Sequence, residues 1–455
     1  MDTIVAVSTP AGRSAIGVIR LSGPDALAIA RSLVGERTFQ PKPATVQLMD
    51  LRNSSTAELI DQALLTYFAA PNSFTGEDVI EISCHGSPVI LREVIDSALR
   101  LGGRLAGPGE FTLRALSNGK LNLSQAEAIR DLINSQTEVA AQQAVRQMRG
   151  ELSLRLQPLK EALLGLIVVL ESALEFVEGD LPQLQTEQIA AKLEQPISDL
   201  QSLASTFSSG HLLRDGLRVT IVGLPNAGKS TLFNKLLKFD RAIVTDIPGT
   251  TRDTLSETVN MNGVPVVLTD TAGIRESLNV VESIGLERTR TAMADADLLL
   301  VVLDGSADLT AEDRQLVQSS NGGRRVVALN KSDLSTFRNE FKESLDGGLG
   351  IVEVSAKEEI GVADVREAIL ASFHHFDTNE TGLLITDARH YDLLCRTSDE
   401  LGSAGELLKQ GEKDSVIAYF HQCAGFWVEG RVLLIKWEQD VKSGRAPDFD
   451  DRETS

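Results

Sequence analysis

Cysteine, aromatic residues, excess positive charge and long apolar runs are all scarce in this chain of 455 residues. The three cysteines, Cys84, Cys395 and Cys423, form no CxxC pair and no Cys/His cluster at zinc spacing. That excludes a disulfide framework or a zinc module and fits reduced cytosolic thiols. Aromatics are only 4 % of the residues, so Leu, Val, Ile and Ala must fill the cores. The formal charge of −20 argues against a long basic groove that holds nucleic acid by its phosphates alone. A local basic patch or a partner can still serve RNA. The most apolar stretch, Leu163 to Leu170, is too short to span a bilayer and runs straight into Glu171. The first residues, MDTIVAVSTPAGR, lack the basic and apolar regions of a secretory signal. A soluble, cytoplasmic protein without a membrane role is expected.

What is present has three textures. Residues 1–118 mix short β-type runs (TIVAV, IGVIRL, ALLTYFAA, DVIEIS) with helix-like segments. Residues 119–212 show almost no strand signal, and their apolar residues recur at three and four, the pattern of packed amphipathic helices. From 213 to 375, apolar strand runs (LRVTIVG, VPVVLTD, ADLLLVVLD, RRVVALN, GIVEVS) alternate with helices in the rhythm of a doubly wound parallel sheet. Helical patterns resume over 376–455 and give way to a tail, RAPDFDDRETS, that reads as disordered. The expected class is a multidomain α/β protein: an N-terminal α/β domain, then a helical bundle domain interrupted by a P-loop doubly wound domain.

Chemistry concentrates in the interrupting segment. Strand LRVTIV runs into Gly223-Leu-Pro-Asn-Ala-Gly-Lys229-Ser230 and then into helix TLFNKLLK, a phosphate loop in its required setting. Its glycines let backbone N–H groups converge on phosphates at the positive end of a helix. Asn226, Ala227, Gly228, Lys229, Ser230 and Thr231 are the expected contacts, with Lys229 on the β- and γ-phosphates and Ser230 on Mg²⁺. Asp270-Thr271-Ala272-Gly273 ends strand VPVVLTD, where Asp270 can hold the Mg²⁺ shell through water and Gly273 can sense the γ-phosphate. Asn330-Lys331-Ser332-Asp333 follows strand RRVVALN. A carboxylate at Asp333 can accept from N1–H and the exocyclic amine of guanine, which adenine cannot match. Ser355, Ala356 and Lys357 form the companion loop, with a backbone N–H expected at guanine O6. Four elements in this order make a GTP-hydrolysing switch the expected activity. The Gly- and Pro-containing loop from Asp246 to Asp253 is the expected switch, in which Thr250 or Thr251 closes over Mg²⁺. After DTAG stands Ile274, which cannot orient an attacking water as a Gln does. Asn226 is a candidate ligand for a monovalent cation, and Arg252, Arg275 and Glu282 are candidate clamps or bases.

With GLPNAGKS, TDIPGTTRD, DTAGIR and NKSD set between long helices, the chain resembles the tRNA-modifying GTPase family MnmE, also called TrmE. DTIVAVSTPAGRSAIGVIRLSGP, SFTGEDVIEISCHG and GPGEFTLRALSNGKLNLSQAEAIRDLI resemble the family's motifs outside the GTPase part, and the resemblance spans roughly residues 2–420. It implies an N-terminal domain that resembles tetrahydrofolate-binding domains and forms homodimers. It also implies a flavoprotein partner, MnmG (GidA), and modification at carbon 5 of the wobble uridine of tRNA with a one-carbon unit from 5-formyltetrahydrofolate or a related folate. Hydrolysis in the family depends on K⁺ and on dimerisation of the G domains. Carried onto this sequence, Asn226, Thr245, Ile247 and Thr250 would hold K⁺, and Ser230 and Thr251 would hold Mg²⁺. Glu282 and Lys229 would serve catalysis, Glu282 by orienting the water through a bridging water and Lys229 at the β- and γ-phosphates. Arg20, Glu81 and Lys120 would contact the folate. The chain departs from the family at its end: the family's terminal Cys-x-Gly-Lys motif is missing, and Cys423 is followed by Ala-Gly-Phe. Cys423 is therefore given no catalytic role, and GTP hydrolysis is expected to survive even where modification does not. Two other readings are a switch homologue that has lost modification chemistry and a ribosome-assembly GTPase of the Era or Der type. A single G domain and the acidic balance count against the latter. Replacing Asp333 by Asn is expected to turn base preference from guanine to xanthine, read as competition between GTP and XTP for the site; retained GTP preference would contradict its assignment.

Overall fold

The structure, a computed structural model, describes residues 2–35, 39–176, 183–239, 256–270, 293–319, 324–338, 348–372 and 382–410. They fall into two compact units, one running to Glu127 and the other starting at Ala128. The first is built on a six-stranded sheet: β1 (Ile4–Val7), β2 (Ile16–Ser22), β3 (Val46–Arg52), β4 (Leu59–Phe68), β5 (Val79–His85) and β6 (Arg104–Leu105). Its order is β3-β4-β5-β2-β1-β6, antiparallel except for the parallel pair β1–β6. Helices α1 (Ala26–Val34) and α2 (Pro88–Arg100) lay Ile29, Leu33, Val94 and Ala98 onto a core that includes Ile19, Leu21, Ile80 and Ile82. Helix α1 stops at Gly35, whose φ of 72° lets its N–H return to the carbonyls of Arg31 and Ser32. Strand β3 escaped the sequence reading because Gln47, Asp50 and Arg52 break its apolar pattern, which an edge strand tolerates. Helices α3 (Glu110–Ser117) and α4 (Leu123–Asn134) follow.

The second unit opens inside α4, at Ala128, and continues with helices α5 (Glu138–Met148), α6 (Glu151–Phe176), α7 (Gln183–Ser205) and α8 (Phe207–Asp215). Thr137 caps α5 by accepting from the Ala140 N–H at 3.2 Å. Pro158 and Pro196 lie inside α6 and α7, where each removes one helical hydrogen bond. Next come β7 (Leu217–Val222), α9 (Lys229–Phe239), β8 (Ser256–Met261), β9 (Val264–Asp270), β10 (Leu298–Asp304), α10 (Ala311–Ser319), β11 (Arg325–Asn330), β12 (Ile351–Val354) and α11 (Val362–Ala371). The sheet order is β12-β11-β10-β7-β9-β8. Five strands are the parallel set read from the sequence; the sixth, β8, runs antiparallel to β9 at the edge. Polar SETVNM hid it, and its turn at Asn262-Gly263 takes φ of 52° and 90°, as a tight hairpin requires.

The chain then returns to the helices. Helix α12 (Ala388–Gln410) packs Leu394, Leu401 and Ala404 against Leu193, Leu200 and Leu203 of α7 and Leu152 and Leu159 of α6. One helical core is thus made by segments on both sides of the α/β insertion, as expected. The returning segment is held by side chains that stand in for a sheet neighbour. The Gln143 and Gln147 amides donate to the carbonyls of Gly382 and Leu384 at 3.0 and 3.1 Å, and Gln143 Oε1 accepts from the Leu384 N–H. Gly210 of α8 admits the segment so closely that a Cβ there would lie 2.0 Å from the Ile385 carbonyl oxygen.

Arg214 joins the outgoing and returning chains. Its guanidinium sits 2.7 Å from Asp387 Oδ2 and 3.3 Å from Asp131 Oδ1 of α4. Burial works against ionising both carboxyls. At Asp387 Arg214 outweighs it and the pKa falls below the usual range, whereas at Asp131 burial prevails and the pKa rises. Arg214→Ala is expected to cost roughly 2–3 kcal/mol, somewhat less than breaking a fully buried pair. The midpoint of urea unfolding measures it, and an unchanged midpoint would contradict the role.

Candidate nucleotide site

Strand β7 ends in a loop whose backbone only particular residues permit. Gly223 lies under the Val302 carbonyl, where a Cβ would come to 2.3 Å. Asn226 takes φ of 64° and Gly228 φ of 96°. The Asn330 amide crosses from the end of β11 and donates to the Ala227 carbonyl at 2.8 Å. A Cβ on Gly228 would meet that amide nitrogen at 2.1 Å. The phosphate loop is therefore clamped from behind by the same segment that carries Asp333, the candidate base reader.

Lys229 opens α9, and its buried ammonium donates to the Leu224 carbonyl at 2.9 Å, across the loop's own opening. The Ser230 hydroxyl donates to Asp270 Oδ2 at 2.8 Å. A hydroxyl from the first turn of α9 and a carboxylate oxygen from the end of β9 thus share one point, an oxygen pair that suits a hard divalent cation. Asp270 ends β9, and the loop after the neighbouring parallel strand β7 leads into Lys229 and Ser230, so all three stand at the carboxyl edge of the sheet, where open α/β sheets bind ligands.

The base side is equally ordered. Asp333 is exposed, and the Ser355 hydroxyl donates to its Oδ1 at 2.6 Å. That bond and the Lys357 and Lys331 charges pull its pKa below the usual carboxylate range. An ionised carboxylate with one oxygen already fixed is ready to accept two donors from a purine edge. The Ala356 N–H, a candidate for guanine O6, donates here to Asn330 Oδ1 at 3.0 Å. Thr231 lies in α9 behind Ser230. Thr245, Ile247, Thr250, Thr251, Thr271, Ala272, Gly273, Ile274, Glu282 and Cys423 lie outside the described residues, as do Arg252 and Arg275.

The family model described as "GTP-binding protein TrmE N-terminus" matches residues 3–120, and that described as "MnmE helical domain" matches residues 123–424. The chain belongs to the MnmE family. Relatives named tRNA modification GTPase MnmE are 42% identical over 413 residues in Koribacter versatilis, covering 90% of each chain. In Aquifex aeolicus the figures are 40% over 420 residues, 92% of each, and in Heliobacterium modesticaldum 43% over 422 residues, 90% of this chain and 91% of the relative. The solved G domain of the T. maritima FeoB iron transporter aligns with 34% of this chain and 98% of its own, at 23% identity and a TM-score of 0.27.

In the first unit, Arg20 and Glu81 face each other across β2 and β5. The Arg20 Nε and terminal nitrogen donate to Glu81 Oε1 at 2.9 and 2.6 Å. The Arg20 guanidinium also lies 5.4 Å from the Phe74 ring centre and 5.6 Å from that of Phe111. Lys120 donates to the Pro71 carbonyl at 2.9 Å, on the loop that carries Phe74. The three expected folate contacts are thus linked through one loop, with two aromatic rings that the sequence reading did not single out. Also missed was the buried Arg114, which donates to Asp2, Glu77 and Glu110. Among charged residues of short strands and helices, no pattern distinguished it from a solvated one. Gly228→Ala is expected to abolish measurable GDP binding, because its Cβ collides with the Asn330 amide; near-normal affinity by calorimetry would refute the clamp.

Proposed function

We infer that this protein is a GTP hydrolase acting in tRNA modification, with the N-terminal domain at 1–118, the helical domain at 119–212 and 376–455, and the G domain at 213–375. The observation that carries the reading is the exposed Asp333 carboxylate. It is oriented by Ser355 and stands on the same strand-end scaffold as a complete phosphate loop. Membership in a family whose relatives are named tRNA modification GTPases supports it.

In this reading, loop N–H groups and Lys229 bind the β- and γ-phosphates, and Lys229 gives up its Leu224 carbonyl bond to do so. Ser230 and Thr251 hold Mg²⁺, with Asp270 behind the Ser230 hydroxyl. Bound Mg²⁺ supplies charge neutralisation at the β- and γ-oxygens. Asn226, exposed and left-handed at the loop's lip, offers its side chain to K⁺ together with Thr245, Ile247 and Thr250. A cation at that lip supplies what an arginine finger supplies elsewhere, which fits Ile274 in place of a glutamine. Glu282 orients the attacking water through a second water. Asn330, Lys331, Asp333, Ser355, Ala356 and Lys357 hold the base. Two copies meet through their N-terminal domains, and Arg20, Glu81 and Lys120 hold 5-formyltetrahydrofolate or a related folate. With MnmG, the protein modifies carbon 5 of the wobble uridine of tRNA in the cytoplasm. Among the described residues, no helix is long and apolar enough to cross a membrane.

The test has two arms. GTP turnover is expected to rise several-fold in K⁺ over Na⁺ at equal ionic strength, and cells that rely on this protein alone are expected to carry modified wobble uridine. Equal rates would remove the cation mechanism, and unmodified tRNA would remove the role in modification.

A further inference from the structure

Asp304 ends β10 directly beside Asn330 of β11, in parallel register. Two donors from the next turn hold its carboxylate: the Ser306 N–H and hydroxyl, at 3.0 and 2.6 Å from Oδ1. Its Oδ2 accepts from the Lys331 ammonium at 2.5 Å. Lys331 itself takes φ of 70°, a left-handed turn that a lysine rarely adopts. The Gly305 N–H donates to the Asn330 carbonyl at 2.9 Å, which keeps the two strand ends in step.

Strand order gives this pair its meaning. Phosphates belong at the end of β7, and the base reader stands after β11, beside β12. Strand β10 lies between β7 and β11, so a nucleoside joining the two sites must cross the end of β10. The Lys331 side chain starts after β11 and finishes on the last residue of β10, so its methylene stem lies along that crossing. An ammonium anchored at its tip turns a flexible stem into a fixed apolar rail for the flat face of a ring.

We propose that Asp304, pre-oriented by Ser306, is a positioning residue for guanine nucleotides: it pins Lys331 so that its stem forms the surface on which the nucleoside rests. This rests on the reading of Asp333 as the base reader. The pair lies remote from the phosphate end, so the effect falls on binding of GDP and GTP alike. The lowered pKa of Asp304, for which burial works in the opposite sense and the Lys331 and Ser306 bonds prevail, agrees with a carboxylate kept ionised for this task.

A double-mutant cycle on the full chain tests it, with GDP and GTP affinities measured for wild type, Asp304→Ala, Lys331→Met and the double variant. Asp304→Ala is expected to weaken both nucleotides roughly 5- to 20-fold, and the double variant to bind no worse than Lys331→Met, as coupled neighbours do. Asp304→Glu, which keeps the charge, is expected to recover part of the loss. Asp304→Asn, which keeps the shape, checks that any loss is not one of folding: it should bind weakly while unfolding at the wild-type temperature. Unchanged affinity in Asp304→Ala, or losses that simply multiply in the double variant, would overturn the proposal. Xanthine binding by Asp333→Asn is measured alongside: if Asp333→Asn takes xanthine nucleotides while the cycle is additive, the base reader stands and the role of Asp304 alone falls.

Discussion

One buried amide holds the candidate site together. Asn330 donates from one end of its side chain to the phosphate loop at Ala227 and accepts at the other from the backbone of Ala356. Asparagine is the shortest side chain that offers a donor and an acceptor in one plane. A carboxylate would lack the donor, and an alkyl group would leave both backbone partners dry and unsatisfied, at about 1–3 kcal/mol each. Glycine at 228 follows from this, because the amide occupies the space where a Cβ would stand. The phosphate loop and the candidate base-reading loops are therefore parts of one joint, although their residues lie about a hundred positions apart.

Much of this was legible because phosphate-site chemistry constrains residue type at fixed spacing. Gly223, Gly228, Lys229, Ser230, Asp270, Asn330 and Asp333 each announce a backbone shape or a charge that few alternatives supply. The strands were legible for a different reason: β10 and β11 are buried on both faces and carry the apolar runs LLLVVL and VVAL, and in β7 only Arg218 is exposed. What escaped were the edges. Strands β3 and β8 alternate polar residues into solvent and carry no such run. The partner of Lys331 escaped as well, since an aspartate at a strand end signals nothing until the neighbouring strand is in register with it.

The same blindness applies to paired charges in the first unit. Arg20 and Glu81 became candidates only through likeness to a family, and the structure sets them opposite each other on adjacent strands. Phe74 and Phe111 stand over Arg20 although they come from a loop and a helix. Arg114, with three acidic partners, ties that helix to the start of the chain. Long-range charge pairing leaves no periodic trace, so it is the last thing a sequence yields.

Arg214 has a topological corollary. The chain leaves the helices just after this residue and comes back at Asp387, and its guanidinium touches both crossings. Departure and return are thus side by side, at a place where the sheet also meets the helices: Leu212 of α8 packs against its core, and a Cβ at Gly263 would lie 2.8 Å from Val139 of α5. Adjacent termini are what allow one fold to be spliced into another without unravelling the host. The helical layer could be closed by a short linker, and the excised portion would keep its own sheet, core and ligand-reading joint intact.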